Sequence, residues 1–488
     1  MQHQWRGLRA EIQGELRAAR KEQLERLMER QQSLMRLADR ITDLALGDPE
    51  PQVRQLALQT LALLQPDLTK TKVLAAWKTL LQDSDRRSAL VAARACRIWF
   101  ETSISDLTNP RLETVQSLQA GRKMASDLAV MSHIITLALN HPEVAVRAEI
   151  LATLDEVLSV LVQRLNGLQS QLGLPEYRPL AVAMAADLLK VTQQLSRSLR
   201  DCLGLPHSSV RQPACRLLES LANLVQVWRE EALQPEGGKF AEQLQSQLAF
   251  NIPDLLTVAL SDPNREVRLQ ALLAVESIEP LSSRTWPALL EALHDPYPPA
   301  RWAAARSLET GRSTGLSESE RAAIVRVLAR RLMEENEVGV RLRLAHTLQT
   351  WRTDLLSARQ EIAAALANAA SDWPGVKRGP FAPAHRQARR QVRDQDVLLA
   401  LLEAVRESVQ HQRLASREPL PEEWLPGLVA SLDAEKPAVR LETCRILAIY
   451  GPQAFAARPA LMRLLQDTDL QVRGAAAAAL LRITPAPQ

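Results

Sequence analysis

Asp262-Pro-Asn-Arg-Glu-Val-Arg268, followed by Leu-Gln-Ala-Leu-Leu-Ala-Val, returns 33 residues later as Asp295-Pro-Tyr-Pro-Pro-Ala-Arg301, followed by Trp-Ala-Ala-Ala-Arg-Ser-Leu. Each copy ends one helix at a tight turn and starts another helix, whose apolar residues recur at three- and four-residue steps. Self-similarity at this period is typical of stacked helical hairpins, in which each repeat packs only on its neighbours. The stretch 262–310 therefore predicts an extended helical array.

The same turn can be aligned at eight places on its arginine: Arg54, Arg147, Arg211, Arg268, Arg301, Arg341, Arg440 and Arg473. The preceding residue is Val in seven of the eight, and we expect it to point into the groove between hairpins. In five of the turns an acid stands six residues before the arginine. Its carboxylate can accept hydrogen bonds from backbone N–H groups at the start of the next helix. We expect the arginine to reach an acid in a neighbouring repeat.

This turn resembles that of the HEAT repeat family, particularly the short repeats of phycobilisome-lyase-type proteins. The resemblance covers most of residues 45–483 and is strongest at 255–352 and 422–483. It implies a ladder of Asp and Arg side chains linking successive repeats, here Asp48, Arg54, Asp262, Arg268, Asp295, Arg301, Asp467 and Arg473. In three turns the acid of a rung is replaced, by His141, Leu205 and Ala434.

The fold class that these observations predict is all-α, a right-handed α-solenoid of about ten HEAT-like, armadillo-like helical hairpins. The abundance of Leu and Ala, with few aromatic residues, agrees with closely packed helices. The predicted segments are an N-terminal amphipathic helix that caps the first repeat (1–46), repeats with long helices (47–233), regular repeats (239–371), a basic Pro/Gly loop (372–393) and C-terminal repeats (394–488). A dimerising coiled coil is the alternative for the N-terminal helix.

Motifs for catalysis or cofactor binding are missing from the sequence: it has no phosphate-binding glycine loop, no HExxH and no GxSxG. The eight histidines are scattered, and the His-Glu pairs of iron-binding HEAT-like hydroxylases are absent. We therefore predict no catalytic residues, no metal site and no cofactor. The cysteines Cys96, Cys202, Cys215 and Cys444 form no CxxC and are predicted to be buried free thiols in a reducing compartment.

The start of the sequence lacks a signal-peptide pattern, and no apolar run approaches the ~18 residues that span a bilayer. We therefore predict a cytoplasmic protein without a transmembrane segment. Its oligomeric state is left open by the sequence.

Residues 372–393 form the longest irregular stretch of one charge sign. Three prolines and two glycines prevent a continuous helix in the first half, and no acid lies between Asp372 and Asp394. Its basic residues are candidate contacts for an acidic protein partner: Lys377, Arg378, Arg386, Arg389, Arg390 and Arg393. A solvated insertion without a binding role explains the same composition.

The predicted function is that of a non-catalytic scaffold or adaptor, which holds a protein partner along the concave face of its inner helices. One alternative is a nucleic-acid-binding protein that uses the basic 372–393 loop, as the resemblance to HEAT-like DNA glycosylases suggests. The formal net charge of +4, from 60 basic and 56 acidic residues, weighs against a long phosphate track. The other alternative, implied by the short repeats, is a tetrapyrrole (bilin) lyase-type protein.

Overall fold

A computed structural model describes Glu29 and residues 32–66, 68, 71–83, 85–229, 236–278, 281–309, 315–370, 384–415 and 419–484, with the backbone alone at 71, 384–394 and 415. Every regular element within these ranges is a helix, and none of the residues they contain forms a β-strand. The predicted all-α class is confirmed. Most of the predicted N-terminal cap, residues 1–28, 30 and 31, lies outside the described residues, so its role stays a prediction.

The first of two compact units comprises residues 1–251. Its helices are α1 (32–47), α2 (Pro51–Leu64), α3 (Thr71–Leu81), α4 (Arg86–Thr108), α5 (Thr114–Leu139), α6 (Val144–Gly167), α7 (Gln169–Leu172), α8 (Arg178–Leu203), α9 (Ser208–Trp228) and α10 (Glu236–Ala249). Helices α2, α4, α6 and α9 pack side by side in one rank, and α3, α5, α8 and α10 in another. The unit is thus a two-layered row of hairpins.

The second unit, residues 252–488, repeats this arrangement with helices that are shorter except for α18. They are α11 (Ile252–Ser261), α12 (Arg265–Ile278), α13 (Trp286–Ala292), α14 (Pro298–Glu309), α15 (Glu318–Glu334), α16 (Val338–Thr350), α17 (Arg359–Ala370), α18 (Ala384–Ala415), α19 (Leu425–Ser431), α20 (Pro437–Tyr450), α21 (Arg458–Leu464) and α22 (Leu470–Ile483). One rank holds α12, α14, α16, α18, α20 and α22, and the other holds α11, α13, α15, α17 and α19.

Successive helices in each unit pack as hairpins, in agreement with the predicted number of about ten. Nine such pairs lie in the described part of the chain: α3–α4, α5–α6, α8–α9, α11–α12, α13–α14, α15–α16, α17–α18, α19–α20 and α21–α22. Except in α17–α18, the second helix of each pair follows a turn of the repeated kind or a diverged copy of it. A row of helical hairpins, the solenoid principle, is therefore the architecture within each unit.

The residue before each turn arginine packs inside the stack, as predicted, with one exception. Buried examples are Val146, Val210, Val267, Ala300, Val340, Val439 and Val472. Burying one such side chain stabilises the fold by about 1.5–3 kcal/mol. Val53 differs because its side chain is 36% exposed. It lies on α2, where Leu56 and Leu63 are exposed as well.

The predicted loop 372–393 is shorter than its composition suggested. Residues 371–383 lie outside the described ranges, but helix α18 begins at Ala384. The physical reason is that neither Pro nor Gly occurs between Ala384 and Arg393, so a helix can form at once after Pro383. The second half of the predicted loop is thus helical.

All eight turn arginines share one contact: the guanidinium group donates a hydrogen bond to the backbone carbonyl six residues upstream. The donor and acceptor residues are Arg54 and Asp48, Arg147 and His141, Arg211 and Leu205, Arg268 and Asp262, Arg301 and Asp295, Arg341 and Glu335, Arg440 and Ala434, and Arg473 and Asp467. Because the acceptor belongs to the backbone, this contact forms whether or not the upstream residue is an acid.

The upstream acid stabilises its own turn. The Asp262 carboxylate accepts a hydrogen bond from the backbone N–H of Asn264 at 2.8 Å, and Asp295 accepts one from Tyr297 at 2.7 Å. In the turn where the acid is replaced, the Nδ1 atom of His141 accepts from the backbone N–H of Glu143 at 3.1 Å. Histidine therefore performs the local part of the acid's role.

Neighbouring repeats are joined where a turn arginine also reaches the acid of the next turn along the chain. Arg268 binds both oxygens of Asp295, with Nε–Oδ2 at 2.6 Å and Nη2–Oδ1 at 2.8 Å. Arg301 binds Glu335 in the same two-pronged way, with both distances 2.7 Å. The side chains of Asp295 and Glu335 are 5% and 1% exposed, so these ion pairs are shielded from water.

The same forward contact recurs near both ends of the described chain. Arg440 binds Asp467 through two hydrogen bonds of 2.6 and 2.7 Å. Arg54 binds Asp83 at 2.5 Å, although the residue six positions after Asp83 is Ala89 and not an arginine. We call these four inter-repeat ion pairs, Arg54–Asp83, Arg268–Asp295, Arg301–Glu335 and Arg440–Asp467, the rungs.

We expect Arg268→Met to reduce the free energy of unfolding by about 3 kcal/mol or more, because the Asp295 carboxylate would stay buried without its cation. Arg473→Met is the matched control. In the structure Arg473 donates to the carbonyls of Asp467 and Thr468 in its own turn, and losing such bonds costs about 1 kcal/mol. Urea denaturation of the full chain measures both changes. Equal losses for the two variants would contradict a stabilising role of the rung.

Acid should weaken the rungs in a defined pH window. The hydrogen bond from Arg440 lowers the pKa of Asp467 from its ordinary 3.8. A carboxylate whose pKa is lower in the folded chain contributes fully above the unfolded pKa, and the contribution is lost as pH falls through the folded pKa. When the pH is lowered below about 4, we expect the thermal unfolding midpoint of the wild type to fall. The midpoint of Arg440→Met should fall less, because this variant has already lost the ion pair. Parallel pH profiles for the two proteins would disagree with this expectation.

Gly427→Ala tests how closely α19 approaches α17. A Cβ atom at residue 427 would lie 2.7 Å from the Cβ of Leu366 and 3.1 Å from the backbone nitrogen of Ala367, so the helices would have to separate. We expect a loss of about 1–3 kcal/mol in the free energy of unfolding. Gly339→Ala on α16 is the control, since nothing lies within 4 Å of its added Cβ. A neutral Gly427→Ala would show that the contact yields easily.

Candidate functional site

The six basic candidates at 377–393 are not among the side chains that the structure describes. Lys377 and Arg378 lie outside the described residues altogether. Arg386, Arg389, Arg390 and Arg393 stand on the first turns of α18, where only the backbone is described. Their role as contacts for an acidic partner therefore stays a prediction.

A surface that is described lies on the second helix of each hairpin. Positions one, five and eight after the turn arginine share one side of that helix because they are spaced by four and three residues. In α6, α9, α12, α14 and α16 none of these positions is buried. We call this stripe the second-helix face.

On α14 the second-helix face carries Trp302, Arg306 and Glu309. Two guanidinium groups flank the half-buried indole ring, with the Cζ atom of Arg343 4.7 Å and that of Arg306 5.6 Å from the ring centroid. Glutamates from two successive repeats hold these arginines: Arg306 pairs with Glu276 of α12 at 3.0 Å, and Arg343 of α16 pairs with Glu309 at 2.6 Å. These five residues are the Trp302 cluster.

Charges within the Trp302 cluster are balanced but unevenly exposed. The side chain of Arg306 is 48% exposed, whereas that of Glu276 is only 11% exposed. Burial raises the pKa of Glu276, and the positive charges of Arg306 and Arg343 oppose that rise. The cluster thus presents an aromatic ring and a partly free guanidinium group, both fixed in position by neighbouring helices.

Most of the described tryptophans fill gaps inside the stack, whereas Trp302 does not. Buried tryptophans fill the stack at Trp77, Trp99, Trp228, Trp351 and Trp424. Trp302 differs because it directly follows the turn arginine Arg301, which places it on the outward stripe. That position was the one signal in the sequence that could have identified it.

In the first unit the second-helix face holds a polar cleft between α6 and α9, with a volume of about 420 Å³. Its lining residues are Asp155, Ser159, Val162, Gln163, Asn166, Arg216, Glu219, Ser220 and Asn223. Arg216 pairs with Asp155 at 2.8 Å, and burial raises the pKa of Asp155 against the charge of Arg216. This cleft offers acidic and basic side chains as well as neutral hydrogen-bonding groups.

The four cysteines are free and buried. Burial raises the pKa of Cys96 to about 12, that of Cys202 to about 11 and that of Cys444 to about 12. These three thiols are therefore protonated at neutral pH and poor nucleophiles.

Metal-binding clusters and membrane-spanning helices are both absent from the part of the chain that the structure describes. There, no group of three or more His, Cys, Asp or Glu side chains is arranged to hold a metal ion. Nor does any helix in these ranges have the length and apolar character to cross a membrane.

The family model for HEAT repeats matches residues 425–488. No curated protein matches the chain in sequence. Among solved structures, an engineered protein is 17% identical at a TM-score of 0.37, with 84% of this chain and 98% of that chain covered.

A second solved structure comes from work on a phosphorylation switch that controls the interaction between cadherin and beta-catenin. It is 13% identical at a TM-score of 0.34, with 91% of this chain and 98% of that chain covered. The family match confirms the resemblance to HEAT repeats for residues 425–488.

Proposed function

We propose that this HEAT-repeat chain is a non-catalytic scaffold or adaptor that holds a protein partner on its second-helix face. The Trp302 cluster would be the centre of that contact. The observation that carries the proposal is the half-buried indole of Trp302, set on an outward position and flanked by Arg306 and Arg343. A cytoplasmic location is part of the proposal, supported by four free cysteines.

Tryptophan and arginine are the residues that most often dominate the energy of protein interfaces. Here they are already ordered: Glu276 and Glu309 hold the two arginines, so a partner would immobilise few additional side chains. Ordering a contact surface before binding reduces the entropy lost on association. The cluster is therefore suited to bind a preformed protein surface.

Two rungs lie beside the cluster and support it. Arg268–Asp295 joins the turns that precede α12 and α14, and Arg301–Glu335 joins those that precede α14 and α16. The three helices that contribute to the cluster are thus held to one another by buried ion pairs. A partner that fits this surface would supply an apolar side chain to cover Trp302 and an acceptor for the exposed part of Arg306.

Affinity capture with Trp302→Ala tests the proposal. We expect proteins that bind the tagged wild-type chain specifically to be depleted at least tenfold with the variant, the loss typical of an interface hot spot. Quantitative mass spectrometry of the captured proteins measures this. Arg306→Ala serves as a second variant, because it removes the half-exposed guanidinium group of the cluster, and should show the same depletion.

Phe250→Ala is the matched control, since Phe250 is an aromatic residue with 72% exposure elsewhere in the chain. Thermal unfolding of each variant verifies that the fold is kept. Identical capture by wild type, Trp302→Ala and Arg306→Ala would reject the Trp302 cluster as the binding centre. Loss of the same proteins with Phe250→Ala would show that the depletion is not specific to the Trp302 cluster.

A further inference from the structure

A row of apolar side chains crosses the second helices of the second unit. Position one after the turn arginine is leucine or tryptophan on five successive helices of this rank, and each of these side chains is half-buried. We call them the apolar row: Leu269 on α12, Trp302 on α14, Leu342 on α16, Leu399 on α18 and Leu441 on α20. The five helices pack on one another in this order, so the row is continuous from α12 to α20.

The place of α18 in the row follows from its packing, because no turn of the repeated kind precedes this helix. Between α14 and α16, the ion pair of Glu309 and Arg343 joins position eight of one helix to position two of the next. The ion pair of Arg406 and Glu442 joins α18 to α20 in the same way. Counted from this pair, position one of α18 is Leu399.

The apolar row is confined to the second unit. In the first unit the same position is Gln55 on α2, Leu90 on α4, Ala148 on α6 and Gln212 on α9, so polar and apolar residues are mixed. On α22, the last helix of the second unit, the position is the exposed Gly474, which offers no side chain. The row therefore spans five hairpins and ends at α20.

Polar side chains border the apolar row on most of these helices. Position five of the second-helix face carries Leu273 on α12, but Arg306 on α14, His346 on α16, Glu403 on α18 and Arg445 on α20. Positions one and five lie about 6 Å apart along a helix. The row is therefore about as wide as one extended chain, and it is narrower than an α-helix, whose diameter is about 10 Å.

We propose that the apolar row binds a polyproline II segment of a protein partner, with an apolar residue at every third position. Polyproline II has three residues per turn and rises about 3.1 Å per residue, so every third side chain lies on one side at a spacing of about 9 Å. Packed helices lie about 8–10 Å apart. Five apolar side chains at this spacing would each contact one helix of the row. The inference rests on the proposed function, because Trp302 belongs to the row.

The groups beside the row match the backbone of such a segment. Arg306 and Arg445 expose 48% and 56% of their side chains, and a guanidinium group can only donate hydrogen bonds. The carbonyl groups of polyproline II make no internal hydrogen bonds, and its prolines have no N–H group, so the segment is rich in acceptors. A partner helix fits less well, since its carbonyl groups are already bonded along the helix. The indole of Trp302 adds the aromatic surface on which such segments dock.

A synthetic peptide in which Leu-Pro-Gln occurs four times, followed by a fifth Leu, tests the proposal. Fluorescence anisotropy of the labelled peptide with the full chain measures the dissociation constant. We expect this peptide to bind about tenfold or more tightly than a peptide of the same composition whose leucines are two and four residues apart. Removing two of the five triplet leucines by shortening the peptide should weaken binding by a similar factor. A sixth triplet leucine should add nothing, because α22 has Gly474 at the next position.

Leu399→Gln and Leu441→Gln test the row outside the Trp302 cluster, and each should weaken binding of the triplet peptide several-fold. Leu414→Gln is the matched control, since Leu414 is 84% exposed on α18, and it should bind the peptide like the wild type. Thermal unfolding verifies that each variant is folded, and the peptide series above tests the spacing on the wild type alone.

Three results would overturn the inference: no binding of the triplet peptide, equal binding of the respaced peptide, or binding that neither row variant weakens. The proposed function is judged separately, by the affinity capture with Trp302→Ala. If capture depends on Trp302 while the triplet peptide fails to bind, the partner contacts the Trp302 cluster in another conformation, and only the polyproline II occupant is rejected.

Discussion

The structure depends on one side chain that most of the repeats share, the arginine of the turn between two helices. It donates to the backbone carbonyl six residues upstream and so closes its own turn. At Arg54, Arg268, Arg301 and Arg440 it also binds the acid of the following turn. The planar guanidinium group can do both because its five N–H donors point in fixed, different directions. One residue type thereby sets the shape of the turn and connects neighbouring hairpins.

The sequence predicted the class of fold and the place of the turns because these depend on local spacing. Helices α12, α14, α20 and α22 begin where the repeated turn places them. The choice of partner for each arginine could not be predicted, since it depends on how far one hairpin is displaced from the next. Asp83 shows this, because it binds Arg54 from a turn that has Ala89 in place of the pattern's arginine.

The same distinction explains what was missed at the surface. That Trp302 faces outward follows from its place beside Arg301, but its contact with Arg343 depends on packing between α14 and α16. The basic segment 372–393 stands out through its composition, whereas the Trp302 cluster has balanced charge and therefore no compositional signal. Binding surfaces built from paired charges on stacked helices are visible only when the stack itself is known.

The most direct test of this account is a double-mutant cycle that combines Arg268→Met with Asp295→Asn and measures the free energy of unfolding. Asp295→Asn would keep a side-chain oxygen for the turn, so the cycle isolates the contact between repeats. We predict a coupling energy of about 2 kcal/mol or more, since the pair is buried and bound through two hydrogen bonds. A coupling energy near zero would contradict the claim that these ion pairs hold the repeats together.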